Sequence, residues 1–282
     1  MIMNNTFNIK RFGLAFRKDL IENGKRYLLM FLTLLGIMTI ITTYASWLYY
    51  NEPRNTNYYN NLNKDLLNYL SLIFIAAGIW FASTFANPMN SKLKSISFLV
   101  NPASNLEKFL IRWIITTIGF ITVFFVALWI ADFTRVAICT VTFRELIDFL
   151  DITKLIGPDN EPVYQEYVVP KSIFLLFLNL YFLFQSIFLL GSTFWEKASF
   201  IKTFSAVAAI ITAFIFICRW TILLFYGNLR GFENVMLSFE INRTMSELQA
   251  FSIISIIMAV FTLAFWILAF FRIKESEIIN RL

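Results

Sequence analysis

The sequence predicts an all-α, polytopic membrane protein with six transmembrane helices, an N-terminal amphipathic helix in the interface and both termini in the cytoplasm. Three observations lead there. Of the 282 residues, 58% are hydrophobic and only 15% charged, whereas a soluble domain carries about 45–50% apolar and about 25% charged residues. A soluble chain of this size must cover its surface with polar groups, and this one cannot supply them. The apolar residues also gather into six runs. Each is near the ~20 residues that a helix needs to cross ~30 Å of hydrocarbon. Finally, the charges stand at the ends of those runs, where they set topology.

Residues 1–26 open the chain. Between Asn4 and Arg26, apolar Ile9, Phe12, Phe16 and Leu20 recur at helical spacing, with Lys10, Arg11, Arg17 and Lys18 elsewhere on the turn. That is the pattern of a helix lying in the interface, and a plain basic anchor fits the same residues. The runs follow at Tyr27–Tyr49, Tyr69–Ala86, Phe109–Ala131, Ser172–Thr193, Phe204–Tyr226 and Gln249–Phe271. Residues 27–271 thus form one transmembrane domain, and 272–282 a short charged tail. The first run exceeds the roughly 7–15 apolar residues of a cleaved signal, so it reads as a retained span.

Orientation follows from the basic residues. The side holding both termini has 15 Lys and Arg against 6 acids, a net of +9, and the other side has 9 against 12, a net of −3. Excess positive charge stays in the cytoplasm. The net charge of +6 is therefore a topology signal; it points to membrane lipids rather than nucleic acid.

Residues 87–108 connect spans two and three on the cytoplasmic side and carry Lys92, Lys94 and Lys108. Ser104 followed by Glu107 before an apolar run is a capping box, so the third helix starts before it enters the membrane. The longest insertion, 132–171, lies outside. In it, Thr142–Leu150 reads as a short amphipathic helix with Phe143, Leu146, Ile147 and Leu150 on one face, and Gly157-Pro158-Asp159-Asn160 as a turn. The insertion suits a cap over the outer mouth better than an enzymatic domain.

Polar residues inside the spans are few. Thr33, Gly36 and Thr43 mark one face of the first span, suited to close helix contact or to a substrate path. Asn179, Gln185 and Ser186 in the fourth suit hydrogen bonds between helices. Arg219 is the one clearly ionic residue within a span, where a charge costs about 2.5–3.5 kcal/mol on insertion scales. It either snorkels to the outer boundary or pairs inside the bundle. Asp132 and Arg135 mark the outer end of the third span.

Several chemistries have no footing here. Histidine is absent, and the two cysteines, Cys139 and Cys218, lie far apart, so neither a disulfide framework nor a zinc set can be read. No Gly-x-x-x-x-Gly-Lys-Ser/Thr occurs to cradle phosphates, and no His-Glu-x-x-His or Gly-x-Ser-x-Gly. The chain is not expected to be an enzyme, and no catalytic, cofactor or metal residue is assigned.

The basic amphipathic lead into span one, the segment Asn101-Pro102-Ala103-Ser104-Asn105-Leu106-Glu107-Lys108-Phe109, the six spans and the tail Arg272-Ile273-Lys274-Glu275 together resemble the permease subunits of bacterial ABC-2 type transporters. The resemblance implies a dimer of permeases, identical or homologous, in the bacterial cytoplasmic membrane. It implies a separate ATPase subunit that binds ATP and Mg, and transport in the direction of export. The coupling contacts would map to Lys10, Arg11, Arg17, Lys18, Lys92, Lys94, Ser104, Glu107 and Lys108. Two rivals share the same spans: a membrane scaffold or sensor that transports nothing, and a secondary transporter. The latter is disfavoured because paired intramembrane acids and repeat symmetry are missing.

Overall fold

The computed structural model describes residues 7–51, 62–86, 103–144, 147–150, 156–157, 169–195, 197–226 and 247–279. Helix α1 covers Ile9–Asn51 and α2 Leu62–Ser83. Helix α3, Asn105–Ile114, runs through a π-helical turn, Ile115–Gly119, into α4, Phe120–Phe143. Two-residue strands β1, Ile156–Gly157, and β2, Val169–Pro170, pair in parallel. Helices α5, Lys171–Phe194, α6, Ser199–Tyr226, and α7, Glu247–Ile279, complete the chain. With α3, the π turn and α4 taken as one rod, six helices among the described residues are long and apolar enough to cross a membrane.

The rods outrun the spans that the sequence predicts. The 43 residues of α1 extend ~65 Å and the 39 of Asn105–Phe143 ~58 Å, at ~1.5 Å per residue, against ~30 Å of hydrocarbon. Charge shows which part of each rod lies in lipid. On the third rod, Arg112 and Asp132 bracket the uncharged stretch Trp113–Ala131, whose 19 residues rise ~28 Å. On α1, Arg26 is the last charge before Asn51.

The leading segment and first span form one helix with unbroken hydrogen bonding. Asn8 caps it, its side-chain oxygen accepting from the backbone N–H of Lys10 at 3.0 Å and of Arg11 at 3.4 Å. Gly24 costs only ~1 kcal/mol inside a helix, too little to break one held by packing on both sides of it. Phe12 and Phe16 pack against Ala103, Ile111 and Ile115, while Ile9 and Leu20 of the same predicted face remain exposed.

Elsewhere two expectations need correction. The amphipathic helix expected over Thr142–Leu150 does not form, since α4 ends at Phe143 and Arg144 takes a left-handed φ of 55°. Residues 147–150 are not helical, because their backbone is committed elsewhere. Asp132 accepts the Leu150 N–H at 2.8 Å, and Arg135 donates to the Asp148 carbonyl at 2.9 Å. Helix α7 also continues to Ile279, through most of the segment expected as a charged tail. The expected turn at Gly157–Asn160 lies outside the described residues beyond Gly157, as do the loop residues Lys92 and Lys94.

Without a hydrophobic driving force in lipid, helices hold together by close packing and hydrogen bonds. The centre is an aromatic knot. Phe74 of α2 lies 4.4 Å from Tyr181 of α5, 4.8 Å from Phe124 and 5.7 Å from Phe120, between ring centroids. Gly78 makes this possible, since a Cβ there would fall on the Tyr181 ring and 3.0 Å from Phe120. A second cluster joins Ala82, Phe85, Phe109, Phe188 and Ala269. Through it the end of α2, the start of α3 and the end of α7 meet at one end of the bundle. Helix α6 joins the others at its start, where the Phe200 ring lies tilted against Phe188 at 5.5 Å and Ser199 donates to the Ser83 carbonyl. No residue from Phe204 to Phe225 is buried.

These contacts predict opposite outcomes for two glycines. Gly78→Ala lowers the thermal midpoint in detergent, at roughly 1–3 kcal/mol of overpacking. Gly36→Ala leaves it unchanged or slightly raised, because an added Cβ meets nothing within 4 Å. Equal losses from the two would contradict this packing.

Candidate functional site

The capping box is formed and does more than start a helix. The Glu107 N–H donates to the Ser104 hydroxyl at 3.3 Å, and the Glu107 carboxylate accepts the Ser104 N–H at 2.9 Å. That carboxylate is fully buried. It also accepts the backbone N–H of Asn8 at 2.8 Å and two bonds from the Arg11 guanidinium, each 2.7 Å. One side chain therefore caps α3 and anchors the start of α1, across 96 residues of sequence.

A second ion pair repeats the join two turns further on. Arg112 meets Asp19 at 2.6 Å, both nearly buried. Asp19 also accepts from the Tyr27 hydroxyl at 2.9 Å and from the Asn23 amide at 3.1 Å. Between the pairs, Ala15 and Ile111 share a small apolar cluster with Ala103 and Ile115. The signs run positive then negative along α1, and negative then positive along α3, so only one register satisfies both pairs.

The electrostatics follow from this arrangement. Burial alone would raise the Glu107 carboxyl. Burial is the largest single influence, but the Arg11 bond, the Asn8 and Ser104 N–H groups and the Arg11 charge together outweigh it, and the carboxyl falls from an ordinary 4.5 to about 2. Glu107 precedes the apolar stretch that starts beyond Arg112, and its charge is permanent at neutral pH.

The expected coupling residues thus divide. Arg11, Ser104 and Glu107 are spent on the join, and Lys108 is buried. Lys10, Arg17 and Lys18 are exposed, with Lys18 making only a 3.7 Å surface pair to Glu22.

The residues expected to contact helices or line a path divide as well. On α1 beyond Arg26 the buried positions are Leu34, Met38, Thr42 and Ser46, which are not the expected stripe. Thr33 is exposed, and its hydroxyl donates to its own helix at Met30; Gly36 has open space at its side. The Thr43 hydroxyl is buried with no partner among the described residues. Asn179 donates to Ser255 of α7. Gln185, fully buried, donates to Thr117 of the π turn at 3.0 Å and accepts from the Trp266 indole at 3.1 Å. It ties three spans together. Ser186 bonds only within its own helix, to the Leu183 carbonyl. Arg219 is exposed and has no ionic partner among the described residues, and the two cysteines are unpaired, Cys139 buried and Cys218 half-buried.

Sequence reading missed the Asp19–Arg112 pair and the π turn; for Gln185 it expected hydrogen bonds between helices, and the structure supplies the partners, Thr117 and Trp266. A signal for the first was present, since Asp19 is an acid at helical spacing from Arg11, and α3 carries the reversed order. For the π turn no signal was available beyond Thr116, Thr117 and Gly119.

No family model matches the chain, and no curated protein or solved structure aligns with it. The functional reading therefore rests on its residues.

Acid titration tests the join. Glu107 has a folded pKa below its unfolded one, so its contribution to stability is complete above pH about 4.5 and lost as pH falls to about 2. In Arg11→Ala, burial is the largest remaining influence and pushes the carboxyl up. The loss over that window then shrinks or reverses. Unfolding midpoints of wild type and variant in detergent across the window should diverge, and parallel curves would count against the pairing.

Proposed function

We propose that the chain is the membrane-spanning permease subunit of an ATP-driven transporter of the bacterial cytoplasmic membrane, working as an exporter. In this reading both termini are cytoplasmic, a second permease completes the path, and a separate ATPase binds ATP and Mg.

The observation that carries the reading is the double ion pair between the leading helix and the start of the third rod. A transporter driven from outside its membrane domain must receive force on a surface element and pass it to a span without the element yielding. Arg11 with Glu107, and Asp19 with Arg112, tie such an element to a capped helix start. Exposed Lys10, Arg17 and Lys18 give it a basic face suited to an acidic groove on the ATPase, with Lys92 and Lys94 as further candidates. The outward side of α1 at Thr33 and Gly36 is open, which suits the second permease, since small residues let helices approach closely in lipid.

Purification from native membranes in mild detergent tests this. The wild type should bring down an ATPase subunit carrying the phosphate-binding motif. A triple variant with Lys10→Glu, Arg17→Glu and Lys18→Glu should insert normally and lose it. A triple variant that keeps the ATPase moves the docking face elsewhere. A wild type that never carries one overturns the transporter reading in favour of a scaffold.

A further inference from the structure

A cleft beside the join has an interior to which the proposed transport role gives no occupant. It encloses about 240 Å³ between α1, α2 and the third rod. Its walls are hydrocarbon: Met30 and Leu34 from α1, Ala77 and Phe81 from α2, Ile115 and Phe120 from the third rod. The rim residues Ile37 and Trp80 are 46% and 58% exposed, so the cleft opens sideways toward lipid. Gly119, at the end of the π turn, leaves the back wall without a side chain. A Cβ there would meet only the Ile114 carbonyl, at an ordinary 3.6 Å.

Two of the polar groups bordering the cleft are already engaged. Thr33 donates within its own helix, and the Tyr27 hydroxyl is held by Asp19 and approached by Arg112 at 3.4 Å. Nothing in the wall asks for a polar guest. The height is also informative. From Tyr27 to Ile37 the wall climbs ten residues, or ~15 Å, half of a ~30 Å core and so the depth of one leaflet. Phe16 and Leu20 form the floor below.

Arg26 precedes Tyr27 of this wall in the chain. Arg26 and Arg112 are the last charged residues before the uncharged stretches of their helices, which places both at headgroup level. Arg112 is matched by Asp19. Arg26 is half-buried and has no acidic partner among the described residues. Burial above all works against its charge; Tyr27 opposes that effect, and the like charge of Arg112 adds to it. A guanidinium does not escape by losing its proton. An anion is what relieves it, and a phosphate matches the planar fork.

We propose that this cleft binds one acyl chain of an anionic phospholipid, with the lipid phosphate held at Arg26. A resident membrane lipid supplies both parts at the spacing the cleft offers, the chain at leaflet depth and the anion at the boundary. Basic pockets between spans hold anionic headgroups on this principle.

The test uses the full chain in detergent, stripped of lipid and then offered phosphatidylglycerol or phosphatidylcholine with identical acyl chains, with retained lipid counted by native mass spectrometry. Wild type should retain one phosphatidylglycerol, and prefer it over phosphatidylcholine by about fivefold, the worth of one cation near the surface. Arg26→Gln should erase that preference while keeping weak binding of both. Gly119→Leu, which fills the back wall, should lower retention of both. If that variant does not fold, Ala77→Phe fills the same space from the opposite wall. Equal retention of the two lipids by wild type overturns the proposal, as does a preference that survives Arg26→Gln, or retention unchanged by filling the cleft.

Discussion

A buried carboxylate must be surrounded by donors or it loses its charge, and Glu107 meets that demand by recruiting the starts of two helices around it. Two of its donors are backbone groups at Asn8 and Ser104, and two come from Arg11. The start of α1 and the start of α3 are consequently fixed in register. Asp19 and Arg112 then hold that register further along the helices, and the cluster holding Ala15 and Ile111 fills the gap between them. Removing any donor exposes the rest to the cost of an unpaired buried charge, which is large compared with any single apolar contact.

That fixed corner orders the membrane part. Arg112 ends the polar stretch of the third rod, and Asp132 with Arg135 begins the next one ~28 Å on. Between them lie the aromatic knot around Phe74 and the Gln185 bridge to Thr117 and Trp266. The π turn stands where these meet. An extra residue in a turn rotates the face that follows, so α3 can present Ile111 and Arg112 to α1 while α4 presents Phe124 and Ala127 to the core. π turns are frequent at functional sites, and here the turn also borders the lipid-facing cleft.

The spans were legible because lipid demands long uncharged helices, a constraint written in composition. The capping box was legible for a similar reason, Ser104 and Glu107 being three residues apart in a fixed local geometry. What escaped were features that need two distant segments. The Arg11–Glu107 pair joins residues 96 apart, and neither side chain names its partner. The stripe at Thr33, Gly36 and Thr43 was visible, but periodicity cannot say which neighbour a face meets. The bundle uses the adjoining face at Leu34, Met38, Thr42 and Ser46 instead. At Thr142–Leu150 the helical pattern lost to tertiary contacts, as Asp132 and Arg135 claim the backbone groups at Asp148 and Leu150.

The central claim is that the leading part of α1 is docked on the start of the third rod and held there by Glu107, rather than lying free along the membrane surface. Cross-linking measures this directly. With Cys139 and Cys218 replaced by Ser, the pair Ala15→Cys and Ile111→Cys should form a disulfide in native membranes under mild oxidant, because the two side chains pack in one cluster. Adding Glu107→Gln to that chain should slow the cross-link markedly. No cross-link in the parent pair, or an unchanged rate with Glu107→Gln, would contradict the account.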